Sequence, residues 1–63
     1  MTPTAAQIRT AIASREDTIK VRITRAGECH HLVRGPHGDG QTKPVWLLYA
    51  MSIREAAQRL GLD

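Results

Sequence analysis

Sixty-three residues carry nine Lys and Arg against six Asp and Glu, a formal charge of +3, with 41% apolar residues and one cysteine. That length holds one domain, 1–63, and that apolar share belongs to a globular chain and not to a disordered tail. The lone Cys29 excludes an intrachain disulfide, no apolar run approaches a membrane span, and Met1-Thr2-Pro3-Thr4 lacks the pattern of a signal peptide, so a cytoplasmic protein is expected.

The first element is a helix over 4–15. Thr2-Pro3 and Thr4 are both suitable starts, and Thr4-x-x-Gln7 has the form of a capping box. Ala5, Ile8, Ala11 and Ile12 recur at helical spacing and form its apolar stripe. Polar residues from Ser14 to Asp17 end it.

Residues 18–25 alternate. Ile19, Val21 and Ile23 point one way, and Lys20, Arg22 and Thr24 the other, which is the pattern of a half-buried strand with a basic outer face. Ala26-Gly27 supplies a turn. The second strand runs over 29–34. A two-residue loop would set His30, Leu32 and Arg34 beside the Ile19-Val21-Ile23 face. A three-residue loop would set His31 and Val33 there, and is preferred because it leaves Arg34 outside.

Three glycines and two prolines make 35–44 a loop without regular structure, long for a hairpin. Residues 45–51, VWLLYAM, read as a third strand with two apolar faces. Such a strand sits in mid-sheet with both faces covered, or it borrows cover from another molecule. Ser52-x-x-Glu55 is a second capping box. It opens a helix whose stripe is Ile53, Ala56, Ala57 and Leu60, with Gly61 as its stop and Leu62 folding back. The expected fold is therefore α+β: a helix, a three-stranded antiparallel sheet, and a helix.

Cys29, His30, His31 and His37 are the one cluster of metal-ligand types. Neighbours on a strand face opposite ways, so only Cys29 and His31 converge, with His37 reaching over from the loop. A structural zinc site needs four ligands, so no metal is expected. A Cys–His nucleophilic pair would lack a group to orient the histidine. The glycines of 35–40 are not followed by Gly-Lys-Ser/Thr or by a helix start, so they make no phosphate loop. No enzyme and no cofactor are expected.

Three strands followed by a helix, with VWLLYAMSIREAA at the join, resemble the plant ethylene-response-factor DNA-binding domain and the arm-type domain of tyrosine integrases. The resemblance spans residues 18–60. It implies a sheet that lies in the DNA major groove and a helix that braces its far side. It places Lys20, Arg22, Arg25 and Arg34 at the strand positions that meet DNA, and Ile53, Ala56, Ala57 and Leu60 on the bracing helix.

The residues themselves point the same way. Within 18–34, Lys20, Arg22, Arg25 and Arg34 stand against one acid, Glu28. Several of them share one strand face, where they would pair with phosphates of a nucleic-acid duplex. Seven of the nine basic residues are Arg, the side chain suited to bidentate contacts. The alternative is a protein-interaction module, such as a small phage- or plasmid-type inhibitor or adaptor. Trp46 and Tyr49 are of the kind that anchors interfaces, with Tyr49 more at home in the core, so Trp46 and Leu48 would form the interface. The apolar run on both faces of the third strand also makes a homodimer the expected assembly.

Overall fold

The computed structural model describes residues 3–62. Its elements follow the order α1 (Ala5–Ala13), β1 (Thr18–Ile23), β2 (Cys29–Val33), β3 (Val45–Ala50), α2 (Ile53–Leu60). This is a small α+β fold of helix, three-stranded antiparallel sheet and helix.

Helix α1 starts at Thr4 because its capping box is complete. The Thr4 amide donates to Gln7 Oε1 at 2.8 Å, and the Gln7 amide donates to Thr4 Oγ1 at 3.2 Å. Thr2, the other candidate start, lies outside the described residues. Ile8 and Ile12 are fully buried, whereas Ala5, expected in the same stripe, is exposed at the end of the helix beyond the core. The Ser14 hydroxyl turns back onto the Ala11 carbonyl at 2.8 Å, and the helix ends there.

The first hairpin closes on the three-residue loop Arg25-Ala26-Gly27. The Thr24 amide donates to the Glu28 carbonyl and the Gly27 amide to the Thr24 carbonyl, both at 3.0 Å. Gly27 sits at φ +90°, the left-handed position such a loop requires. The loop length sets the register. Val21 lies opposite His31 and Ile23 opposite Cys29, so Cys29, His31 and Val33 face inward.

One expectation fails within β1. The register shifts between Thr18 and Lys20, and the bulge takes Ile19 out of the inward series. Ile19 is 43% exposed, and Thr18 occupies the buried place.

Of the two expectations for β3, the mid-sheet place does not hold. The strand order is β1-β2-β3, so β3 is an edge and not the middle of the sheet. Trp46, Leu47 and Leu48 are 46–50% exposed. Val45, Leu47 and Tyr49 belong with the inner face, and Trp46 and Leu48 with the outer one.

The loop between β2 and β3 contains a single 3-10 turn, Gly38–Gly40. It closes on itself, with the His37 amide donating to the Gln41 carbonyl at 2.6 Å. A Cβ on Gly35 would run into the backbone of Thr42, so this close approach requires glycine.

Helix α2 is capped by Ser52, whose Oγ accepts from the Glu55 amide at 3.1 Å. The expected box is half formed. The Glu55 carboxylate reaches the Met51 amide instead, at 3.1 Å, and also holds Arg59 at 3.0 Å. Gly61 is left-handed at φ +73°, and the Leu62 amide closes on the Ala57 carbonyl at 2.9 Å.

Both helices lie on one side of the sheet. Ile8, Ile12, Ala56 and Ala57 pack with Cys29 and Ala50, and Val21, Ile23, Tyr49, Ile53 and Leu60 line the margin. Among the described residues no layer covers the opposite sheet face. Among the described residues no helix is long and apolar enough to cross a membrane.

Candidate nucleic-acid interface

The uncovered face is built by register. Opposed residues of an antiparallel pair share a face. Two rows therefore cross all three strands: Lys20–Leu32–Trp46, and Arg22–His30–Leu48. Bases stand on β1, and apolar side chains stand on β3. Lys20, Arg22, Trp46 and Leu48, drawn from separate expectations about cations and about anchors, thus share one face, with Leu32 and His30 between them.

All four candidate cations, Lys20, Arg22, Arg25 and Arg34, are exposed. Arg25 sits at the tip of the first hairpin. Arg34 lies one residue past β2, continuing the alternation of His30 and Leu32, with its amide bonded to the Asp17 carbonyl at 2.9 Å. Among the described residues none of the four is in an ion pair. Other basic side chains are engaged. Arg15 lies 3.5 Å from Asp17, Arg59 pairs with Glu55, and Arg9 donates to the Val21 carbonyl at 3.3 Å. The acid nearest this face is Glu28, whose carboxylate stands 3.7 Å from His30 Nε2.

Arg22, Thr24, His30 and Trp46 line a shallow cleft of about 170 Å³. Trp46 and His30 are diagonal neighbours across β2 and β3, close enough for a large ring to reach. A larger hollow of about 510 Å³ lies over α1, beside Ala6, Thr10, Ala11 and Leu62, and among the described residues no titratable side chain lines it.

The inner face holds a polar chain. The Thr18 hydroxyl donates to Asp17 Oδ1 at 3.1 Å and stands 3.0 Å from His31 Nδ1, which donates to it when that nitrogen carries the proton. Tyr49 meets the His31 ring edge-on at 5.3 Å, and the Arg15 guanidinium lies 5.4 Å from the Tyr49 centroid. Desolvation pushes the His31 imidazole below its ordinary value against the pull of Asp17. Desolvation raises the Asp17 carboxyl, but the Thr18 hydroxyl, Arg15 and His31 together outweigh it and hold it low. These contacts secure the end of β1 to β2 and bring Tyr49 against the His31 ring.

The metal-ligand types are dispersed. Cys29 is fully buried, and burial pushes its thiol up. His30 faces outward, and His37 Nε2 stands 3.2 Å from the Val33 carbonyl. Among the described residues no three His, Cys, Asp or Glu are placed to hold a metal ion.

Sequence reasoning missed His30 and Leu32 as members of the face and missed the cleft. Choosing the three-residue loop puts His30 and Leu32 beside Lys20 and Arg22. Placing Trp46 needs the register across the 35–44 loop, which no local pattern encodes. No protein-family model matches the chain, and no curated protein or solved structure is significantly similar to it.

Proposed function

We propose that the protein binds nucleic acid through the uncovered face of its sheet. The observation that carries this is the β1 column: Lys20 and Arg22 are exposed, in no ion pair among the described residues, and neighbours on a face that neither α1 nor α2 covers. Arg25 and Arg34 extend the positive surface to either end of the hairpin. The division into a braced face and a free basic face is also what the resemblance to three-stranded-sheet DNA-binding domains implies. Phosphates supply the affinity of such a surface, and its salt dependence counts the contacts. A free, buried thiol accords with a reducing, cytoplasmic setting.

The test is anisotropy of a labelled mixed-sequence oligonucleotide over a range of salt. Log affinity should fall linearly with log salt. Lys20→Ala with Arg22→Ala should flatten that slope by about 0.7 to 0.9 for each lost contact. Because both side chains are exposed, stability should change by no more than about 0.5 kcal/mol for each substitution. No salt-sensitive binding at low salt ends the proposal.

A second reading, a protein partner, is favoured by the free edge of β3. The Thr24–Glu28 and Arg34–Asp17 hydrogen bonds point the backbone of even-numbered β2 residues toward β1. His31 and Val33 then bond to Leu47 and Val45, which leaves the amides and carbonyls of Trp46 and Leu48 facing outward. An uncharged edge with unpaired backbone groups accepts another strand. Its simplest occupant is a second copy, giving a homodimer with Trp46 set against Leu48 of its mate. A mass that stays monomeric as concentration rises would remove that occupant.

A further inference from the structure

We infer that the preferred ligand of the uncovered face is a single strand, held by stacking an unpaired base on Trp46 while Lys20 and Arg22 take its phosphates. This deepens the proposal above and rests on it. Three observations on that face carry it.

The first is composition. The face is basic on one side only. His30 and Leu32 stand in its middle, and Trp46 and Leu48, each about half exposed, make its other side. A duplex offers phosphates and polar base edges, and keeps the flat apolar faces of its bases stacked on each other. Against a duplex, Lys20 and Arg22 would find phosphates, while the apolar column would find only the thymine methyl groups that edge the major groove. An unpaired base brings its own flat apolar surface, and stacking on an aromatic side chain is how single strands are held without regard to sequence.

The second is spacing. Columns β1 and β3 stand two strand separations apart, about 10 Å. A phosphate on β1 therefore directs its sugar and base across His30 and Leu32 toward β3. The strand lies over the sheet, with its backbone along the basic column and its bases toward the apolar one.

The third is the cleft. Arg22, Thr24, His30 and Trp46 surround it. It joins a cation, a hydroxyl, an imidazole and an indole, so a base set against the indole has polar atoms within reach of its edges. Glu28 lies beside His30 and disfavours a second phosphate at that spot, which leaves the cleft to the base.

Trp46 is the sole tryptophan, so its fluorescence reports this side chain alone. The experiment titrates the protein at low salt with oligothymidine, with the same strand paired to oligodeoxyadenosine, and with polyglutamate as a control for charge. Oligothymidine should quench the indole and bind tenfold or more tightly than the duplex. Trp46→Ala, followed by a label on the oligonucleotide, should weaken the single strand about tenfold or more and leave the duplex unchanged. Trp46→Phe should recover most of the loss, since a smaller ring still stacks. Trp46 lies outside the helix-covered core, and far-UV circular dichroism of each variant verifies the fold. Equal or tighter duplex binding without quenching overturns the stacking inference and leaves nucleic-acid binding standing. So does a Trp46→Ala variant that loses nothing. Polyglutamate bound as tightly as oligothymidine reduces the face to a general anion surface and overturns it too. If neither nucleic acid binds at low salt, this inference and the proposal beneath it fall together.

Discussion

Thr18 and His31 are the buried polar residues of the described core, and they bond to each other. The bulge at Ile19 makes this pairing, because it turns Thr18 inward opposite Val33 and beside the ring. Desolvation holds the folded His31 below its ordinary value. The unfolded chain therefore takes up a proton near pH 6.5 that the folded chain refuses. The contribution of the neutral ring is complete above about pH 6.5 and is lost as pH falls toward the folded value. Asp17 acts in a separate window. Its depressed carboxyl contributes above about pH 3.9 and loses that contribution as pH falls through its folded value. The urea midpoint should drop between about pH 7.5 and pH 5.5, and His31→Gln should shrink that drop. Equal midpoints at the two pH values in the native sequence would contradict the assignment. At Cys29, burial and a raised thiol value give a slow nucleophile. Thiol-specific reagents should react with it only after denaturant is added, and rapid labelling of the folded protein would show that the core is open.

At the scale of elements, α1 supplies the two largest side chains in the middle of the described core, Ile8 and Ile12, against the small Cys29, Ala50, Ala56 and Ala57. A chain of this length has about 3–9 kcal/mol of stability at the usual yield per residue. Ile8→Ala or Ile12→Ala removes about 2–5 kcal/mol. Either variant should melt at much lower urea or be unfolded at the outset, whereas a change below about 1 kcal/mol would place the core elsewhere. Much of this level was legible in the sequence. Thr4-x-x-Gln7 and Ser52-x-x-Glu55 marked both helix starts, and Gly61 marked the last stop. Gly27 allowed the three-residue loop, and sparing Arg34 selected it, which turned His31 and Val33 inward. The misses have physical causes. A bulge inserts one residue without disturbing composition, so the alternation through Ile19 read as regular. The apolar run of 45–51 recorded a strand apolar on both sides. Strand order depends on how the 35–44 loop folds back, and that rests on contacts such as Gly35 against Thr42. For the same reason Trp46 and Leu48 were singled out, but their place beside Lys20 and Arg22 was not.

For the molecule as a whole, the arrangement is two layers with one layer missing. Helices α1 and α2 meet on one side of the sheet and bury it. The other side carries a basic edge, an apolar edge, and His30 and Leu32 between them. Salt bridges and backbone contacts occupy Arg9, Arg15 and Arg59 on the helical side, which concentrates free positive charge on the sheet and at the ends of the first hairpin. Lys43 in the loop and Arg54 on α2 are exposed as well, so net charge alone does not select a face. Position does, and the measurement that tests it most directly is an amide NMR titration of the folded protein with a short oligonucleotide at low salt. The expected shifts fall on Lys20, Arg22, His30, Leu32, Trp46 and Leu48, with the Trp46 indole proton among the largest, and Lys20→Ala with Arg22→Ala abolishes them at the same concentration. Shifts confined to α1 and α2, or none at saturating oligonucleotide, would contradict a binding site on the uncovered sheet face.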